Sequence, residues 1–291
     1  MPERLPELDR TVEAPDGTPI AFTVFGSGAP VVLTNGLTTS TFFWKYVAPR
    51  LATRHTVVLW DFAGHGASAP GRTPHANALE AQPAILTRIM DAAGIAQAAH
   101  VGWSLGCQVV LELVRQAPAR CTAVGLLFGP AEHALSSTRL PLPSPALRGM
   151  LAHPQGATLA ALFQHLTQVT RLPGGFGLLR ALGLVGARTA DADLATVLAL
   201  FRAVDPGSLR RMACSAEQHS ALDALAACTV PVLVMAGDAD PFAPFETVGA
   251  QIHRAQPRAT LVRLPHATHT ALLDHADEIV DALEALLAQM P

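Results

Sequence analysis

The stretch of sequence that decides the fold is Ala99-His100-Val101-Gly102-Trp103-Ser104-Leu105-Gly106-Cys107, which contains the pattern Gly-x-Ser-x-Gly. An apolar run typical of a buried strand precedes the serine, and an amphipathic helix predicted over 105–117 follows it at once. A serine at such a sharp turn has a strained backbone, and the two glycines leave room for the turn. This context predicts that Ser104 is an exposed nucleophile between a strand and a helix. A serine that only caps the helix is the alternative.

Short apolar runs rich in valine and leucine recur on both sides of this segment, without clean alternation of apolar and polar residues. Such runs are typical of strands that are buried on both faces of a parallel sheet. We predict these strands at residues 31–34, 57–60, 124–128, 230–235 and 261–264. Helices are predicted at residues 42–52, 79–93, 105–117 and 276–289. Strands that alternate with helices predict an α/β fold with a mostly parallel, doubly wound sheet.

Two further segments complete the predicted architecture. The turn Pro15-Asp16-Gly17-Thr18 predicts an antiparallel hairpin at the sheet edge, between strands at 11–14 and 20–25. The alternation of strands and helices stops after residue 130, and segments rich in leucine and alanine, broken by prolines and glycines, follow. We predict a helical cap inserted between two late strands at 131–227, with the core formed by 1–130 and 228–291.

The composition limits the classes of function. Half of the 291 residues are hydrophobic, 15% are charged and the net charge is −3, so no basic surface for nucleic acid is expected. The uncharged stretch 149–170 contains several histidines and glutamines, which argues against a membrane span. The N-terminal residues do not resemble a secretory signal, so a cytoplasmic protein is expected. The four cysteines form no CxxC pair and are expected to be buried thiols rather than zinc ligands.

Taken together, these motifs resemble those of the α/β-hydrolase family over nearly the whole chain. Asn35-Gly36-Leu37 follows the strand at 31–34, where family members usually have His-Gly-x. The segment Asp61-Phe62-Ala63-Gly64-His65-Gly66-Ala67-Ser68 is similar to the family's Asp-x-x-Gly-x-Gly-x-Ser. The resemblance implies a nucleophile, an acid and a base in the order Ser, Asp, His. There are two departures: Asn35 replaces the usual histidine, and Cys107 stands where a second glycine often follows the elbow.

A base is needed because a serine hydroxyl is a poor nucleophile until an imidazole accepts its proton. Of the 12 histidines, His266 and His269 follow the last predicted strand, where the family places the base. The segment Thr268-His269-Thr270 aligns best with the family pattern, so His269 is favoured and His266 is the alternative. Three histidines that lie nearer Ser104 in sequence are expected to be structural: His65, His100 and His133.

The acid should follow the strand at 230–235, where it would hold the imidazole in the correct tautomer. Asp240 is favoured over Asp238 because Pro241-Phe242-Ala243-Pro244 follows it, as in the family. Some relatives place the acid after the strand at 124–128, which makes Glu132 a third candidate.

Two backbone amides are expected to form the oxyanion hole, from Leu37 and Leu105. We expect Trp103, Phe163 and Phe242 to line the substrate pocket. An apolar pocket suits acyl or alkyl groups better than sugars or phosphates.

The sequence therefore predicts a serine hydrolase that cleaves an ester-type bond of a small apolar substrate through an acyl-enzyme on Ser104, without a metal or cofactor. Alternatives with the same three residues are a lactonase, thioesterase, amidase, perhydrolase or carbon–carbon bond hydrolase. A non-catalytic homologue that binds a small ligand or a partner is a further alternative. Haloalkane dehalogenases and epoxide hydrolases of this fold need an aspartate in place of Ser104.

Overall fold

Within residues 5–135, 137–139 and 174–290, which a computed structural model of the chain describes, eight strands form one sheet. The strands are β1 (Arg10–Glu13), β2 (Pro19–Gly26), β3 (Ala29–Thr34), β4 (His55–Trp60), β5 (Ala98–Trp103), β6 (Cys121–Leu127), β7 (Val232–Gly237) and β8 (Thr260–Leu264). Their order in the sheet is β1-β2-β4-β3-β5-β6-β7-β8. The β1–β2 and β2–β4 pairs are antiparallel, and the other five pairs are parallel. The predicted mostly parallel sheet with an edge hairpin is confirmed.

Helices cover both faces of this sheet. The described α-helices are α1 (Ala48–Leu51), α2 (Gln82–Ala92), α3 (Gly106–Gln116), α4 (Gly175–Ala181), α5 (Asp191–Ala203), α6 (Pro206–Gln218), α7 (Leu222–Ala227), α8 (Phe245–Ala255), α9 (Ala271–Asp274) and α10 (Ala276–Leu287). Helices α2, α3 and α8 pack on one face, and α1, α9 and α10 pack on the other. In β3, Val32 points into the first core, whereas Val31 and Leu33 point into the second. Because both faces are buried, the strands show no polar alternation.

The helix predicted at 42–52 was wrong as a single element. The chain forms a 3₁₀ turn at Thr41–Trp44 and then the short helix α1. Pro49 lies in the first turn of α1, and it explains the break. A proline has no N–H to donate, and its ring clashes with the carbonyl four residues earlier, so one helix cannot continue through this position.

The segment between β6 and β7 carries the predicted helical insertion, because all of its described regular elements, α4 to α7, are helices. Residues 140–173, which include Phe163 and the stretch 149–170, lie outside the described residues. An isolated bridge between Glu132 and Ser220 joins the point where the chain leaves the sheet to the point where it returns. None of the described helices is both long enough and apolar enough to cross a bilayer.

Candidate active site

Ser104 lies at a sharp turn between β5 and α3. Its φ is +57°, in the left-handed region that non-glycine residues rarely adopt. A Cβ atom at Gly102 would lie 2.2 Å from the Gly106 carbonyl oxygen, and one at Gly106 would lie 2.5 Å from the Thr34 carbonyl oxygen. Both positions therefore require glycine. The Ser104 N–H donates to the Leu127 carbonyl at 2.8 Å, which ties the turn to the end of β6.

The structure brings Ser104 together with His269 and Asp240. His269 Nε2 lies 2.9 Å from Ser104 Oγ, and His269 Nδ1 lies 2.9 Å from Asp240 Oδ2. Asp240 is 1% exposed, and its Oδ1 accepts hydrogen bonds from the Phe242 and Ala243 N–H groups. These backbone donors fix the carboxylate, and the carboxylate orients the imidazole ring toward the serine. The arrangement can remove a proton from the hydroxyl and keep the resulting imidazolium paired.

The rival candidates do not reach Ser104. His266 is exposed, and its backbone N–H donates to Asp238 Oδ1 at 2.6 Å. Asp238 Oδ2 is 3.3 Å from the Arg263 guanidinium. Glu132 accepts hydrogen bonds from Ser220 and from Gln251 instead, at 3.1 and 2.6 Å. Asp238 and Glu132 are thus paired with neighbouring groups rather than with His269.

The loop of Leu37 lies directly against the serine turn. A Cβ atom at Gly36 would lie 2.6 Å from the Trp103 ring and 3.1 Å from Ser104 Cβ, so only glycine allows this approach. The backbone N–H groups of Leu37 and Leu105 donate no hydrogen bond to any other residue that the structure describes. Two unpaired N–H groups on the segments that flank Ser104 are what an oxyanion hole requires.

Asn35, which departs from the family pattern, holds the base of this loop. It is buried, and its amide nitrogen donates to the Trp60 carbonyl at 2.8 Å and to Asp61 Oδ1 at 3.1 Å. Its side-chain oxygen accepts a hydrogen bond from the Trp44 indole at 2.9 Å. The asparagine therefore has partners for both ends of its amide, and it joins β3 to the end of β4.

Asp61 is a buried carboxyl beneath the same loop. Burial raises its pKa to about 6, although the N–H groups of Ala67 and Thr41 and the Asn35 amide donate to it and oppose the shift. A Cβ atom at Gly66 would lie 2.0 Å from Asp61 Oδ2, which explains the second glycine of the Asp-x-x-Gly-x-Gly motif. The motif thus folds a tight loop around one carboxyl group.

The predicted pocket residues differ in their placement. The Trp103 ring stacks on Phe43 with centroids 4.3 Å apart, and it lies 5.2 Å from the His269 ring. The Phe242 ring lies 4.9 Å from the His269 ring. Trp103 is buried and belongs to the core as well as to the site, whereas Phe163 is outside the described residues. Among the described residues, two aromatic rings thus lie close to the imidazole of His269.

No disulfide joins the cysteines that the structure describes, and three of them are buried. Cys107 Sγ lies 3.3 Å from the Gly102 carbonyl and 3.5 Å from the Leu127 carbonyl, and burial raises its pKa. It fills space behind the serine turn. Among the described residues, no group of three or more His, Cys, Asp or Glu side chains is placed to hold a metal ion.

One contact of the site was missed at the sequence level. His65, expected to be structural, lies with a ring nitrogen 2.5 Å from the Leu37 carbonyl oxygen. The spacing between residues 37 and 65 does not indicate a contact. The only signal in the sequence is that both motifs follow parallel strands, whose carboxyl ends meet at one edge of the sheet.

Comparison with known proteins relates the chain to one family. The sequence profile described as alpha/beta hydrolase fold matches residues 29–276. A protein of Azorhizobium caulinodans named "Putative carbamate hydrolase RutD" is 32% identical over 108 residues, which are 37% of this chain and 40% of that protein. The matched segment thus spans about two fifths of that relative's length. The pimeloyl-[acyl-carrier protein] methyl ester esterase of Xanthomonas oryzae is 25% identical over 92% of this chain and 98% of its own.

Solved structures show the same fold at lower sequence identity. The enol-lactonase from Burkholderia xenovorans superposes with a TM-score of 0.74 and 20% identity, covering 96% of this chain and 100% of that one. A likeness at this level of identity concerns the fold alone.

Proposed function

The chain belongs to the α/β-hydrolase family, and we propose that it is a serine hydrolase that cleaves an ester-type bond of a small apolar substrate. The observation that carries the proposal is the continuous path from Ser104 Oγ to His269 Nε2, and from His269 Nδ1 to the buried Asp240 carboxylate, with 2.9 Å at each contact. A serine, an imidazole and a carboxylate in this order are the groups that acyl transfer requires.

In the first step, Ser104 Oγ attacks the carbonyl carbon of the ester while His269 Nε2 takes the hydroxyl proton. Asp240 stabilises the imidazolium by accepting a hydrogen bond from His269 Nδ1–H. The negative charge that develops on the carbonyl oxygen is stabilised by the N–H groups of Leu37 and Leu105. The tetrahedral intermediate collapses when the bond to the alcohol breaks, and His269 returns the proton to the leaving oxygen.

In the second step, water attacks the acyl-enzyme. His269 takes a proton from the water, and the same two amides stabilise the second oxyanion. The bond to Ser104 Oγ then breaks, and His269 protonates the serine. The products are a carboxylic acid and a free Ser104, and no bound group besides the substrate is required.

Two observations support an ester with an apolar acyl or alkyl group. The half-buried Phe242 ring beside His269 provides apolar surface for an acyl or alkyl group, and the buried Trp103 ring lies behind the imidazole. A relative that aligns over nearly its whole length is named as a methyl ester esterase. A panel of p-nitrophenyl esters, lactones, thioesters and amides ranks these substrates by kcat/KM, and a preference for another bond would reassign the reaction while retaining the nucleophile.

The nucleophile is tested with a fluorophosphonate probe and p-nitrophenyl butyrate. We expect stoichiometric labelling of Ser104 in the unmodified protein. Ser104→Ala should abolish both labelling and turnover, and the exposed Ser27→Ala should change neither. Undiminished turnover by Ser104→Ala, or labelling of another residue, would refute the mechanism.

A further inference from the structure

His65 faces two carbonyl oxygens from within the core. The side chain is 1% exposed, its Nε2 lies 2.5 Å from the Leu37 oxygen, and its Nδ1 lies 3.1 Å from the Ala63 oxygen. A carbonyl oxygen only accepts hydrogen bonds. A neutral imidazole carries one N–H, so it can donate to one of the two oxygens. Burial lowers the pKa of His65 and favours this neutral form.

The surroundings select which oxygen receives the hydrogen bond. The Ala63 oxygen already accepts a hydrogen bond from the Asn77 side chain at 3.0 Å. The Leu37 oxygen receives no hydrogen bond from any other described residue. A buried carbonyl without a donor is unfavourable, so the tautomer with the proton on Nε2 leaves the fewest groups unpaired.

This hydrogen bond acts on the residue whose N–H would stabilise the oxyanion. The N–H and the C=O of Leu37 belong to the peptide planes that meet at its Cα, so anchoring the carbonyl restricts the torsions that aim the N–H. We propose that His65 is a positioning residue, whose Nε2–H holds the Leu37 carbonyl and thereby directs the Leu37 N–H toward the reacting oxygen. The inference rests on the proposed function, because it needs Leu37 in the oxyanion hole.

The helical insertion contributes to the position of His65. The Asp205 N–H, at the start of α6, donates to the Gly64 carbonyl at 2.9 Å. A Cβ atom at Gly64 would lie 2.3 Å from Ser208 Oγ, so α6 packs directly on the loop that carries His65. The contacts with the two carbonyl oxygens and then the Asp205 carboxylate oppose the lowering of the His65 pKa by burial. Asp205 is itself paired with Arg211 at 3.7 Å. Contacts therefore run from α6 through His65 to Leu37.

Two substitutions separate donation to the Leu37 oxygen from donation to the Ala63 oxygen. In His65→Gln the side-chain amide nitrogen takes the place of Nε2 and can donate to Leu37, whereas in His65→Asn it takes the place of Nδ1 and can donate only to Ala63. With p-nitrophenyl butyrate, we expect His65→Gln to keep kcat within about threefold. His65→Asn should lower kcat about 10–100-fold with KM nearly unchanged, because the transition state loses an aligned donor.

A transition-state mimic provides a second readout. An alkyl trifluoromethyl ketone forms a hemiketal with Ser104, and its oxyanion occupies the same hole. Its affinity should fall in His65→Asn by about the factor seen in kcat and should be kept in His65→Gln. Equal kcat and equal affinity in the two variants would overturn the inference. If the unmodified protein neither hydrolyses the ester nor binds the ketone, the proposed function itself has failed.

The tautomer is measured on the unmodified protein and does not depend on how the variants fold. In ¹⁵N spectra of the histidine rings, we expect His65 to carry a slowly exchanging proton on Nε2 and none on Nδ1. A proton on Nδ1 alone would leave the Leu37 carbonyl without its donor and would refute the positioning role.

Discussion

Two histidine–carboxylate pairs of nearly equal geometry lie in this protein. His269 Nδ1 is 2.9 Å from Asp240, and His219 Nε2 is 2.8 Å from Glu112. Both carboxylates are buried. The pairs differ at the second ring nitrogen: that of His269 faces the hydroxyl of Ser104, whereas that of His219 lies 3.5 Å from the side-chain amide nitrogen of Gln108.

The surroundings of the second pair explain the difference. Glu112 lies on α3 and also pairs with Arg115, which compensates its charge. His219 follows α6 directly and precedes Ser220, where the insertion returns to the core. Its side chain is 2% exposed, against 16% for His269. The second ring nitrogen of His219 thus faces an amide in a closed environment, so this pair links two elements, whereas His269 has a hydroxyl neighbour and a more exposed ring.

The largest expected effect is on kcat, and it should occur in only one of the two pairs. Asp240→Asn should lower kcat about 10⁴-fold, because an amide that donates to Nδ1 forces the wrong tautomer on His269. Glu112→Gln should leave kcat per folded molecule within about threefold. Both are measured with p-nitrophenyl butyrate on samples whose folded fraction is determined by circular dichroism. Similar losses of kcat in both variants would show that the two pairs do not differ in their contribution to activity.

The next effect concerns stability, in which the His219–Glu112 pair should matter. Glu112→Leu should lower the free energy of unfolding by about 3 kcal/mol, since His219 and Arg115 lose a buried acceptor. The exposed Glu80→Leu is the control and should change it by less than about 0.5 kcal/mol. Urea unfolding measures both values. A stability of Glu112→Leu equal to that of the control would show that the second pair does not link α3 to the insertion.

A third histidine has no carboxylate partner among the described residues. His100 in β5 is fully buried, and burial lowers its pKa from 6.5 to about 4. Between these values the unfolded chain binds a proton that the folded protein excludes, so stability declines as the pH falls from 6.5 to 4. The decline should reach about 3 kcal/mol, at about 1.4 kcal/mol for each pKa unit.

His100→Leu should remove this part of the pH dependence, and the exposed His75→Leu should retain it. The measurement is urea unfolding at several pH values between 4 and 7. Parallel stability curves for the unmodified protein and His100→Leu would contradict the expectation.

The smallest effect concerns the rival acid. Asp238 accepts the His266 N–H and stabilises the turn after β8. Asp238→Asn retains an acceptor oxygen there, so we expect kcat within about twofold and a loss of stability of about 1 kcal/mol or less. A loss of kcat as large as that of Asp240→Asn would transfer the role of the acid to Asp238.

The parts of the fold and the site that could be predicted are those whose causes lie close together in the sequence. The turn at Ser104 was predictable because its causes are local: glycines at 102 and 106 and an apolar strand before an amphipathic helix. The sheet was predictable because strands buried on both faces have a distinct composition. The break at Pro49 has a local cause as well, but the apolar pattern of 42–52 alone predicts one continuous helix.

The sequence by itself determined the family, the serine turn and the short segments that contain the candidate base and acid. Only the tertiary structure decided that His269, and not His266, lies beside Ser104, and that Asp240 rather than Asp238 faces the imidazole. It also decided that His65 contacts Leu37 and that His219 pairs with Glu112. These contacts join residues up to 165 positions apart. Their distances depend on how whole strands and loops pack, and a shift of one or two residues in a loop exchanges the group that points into the site for its neighbour.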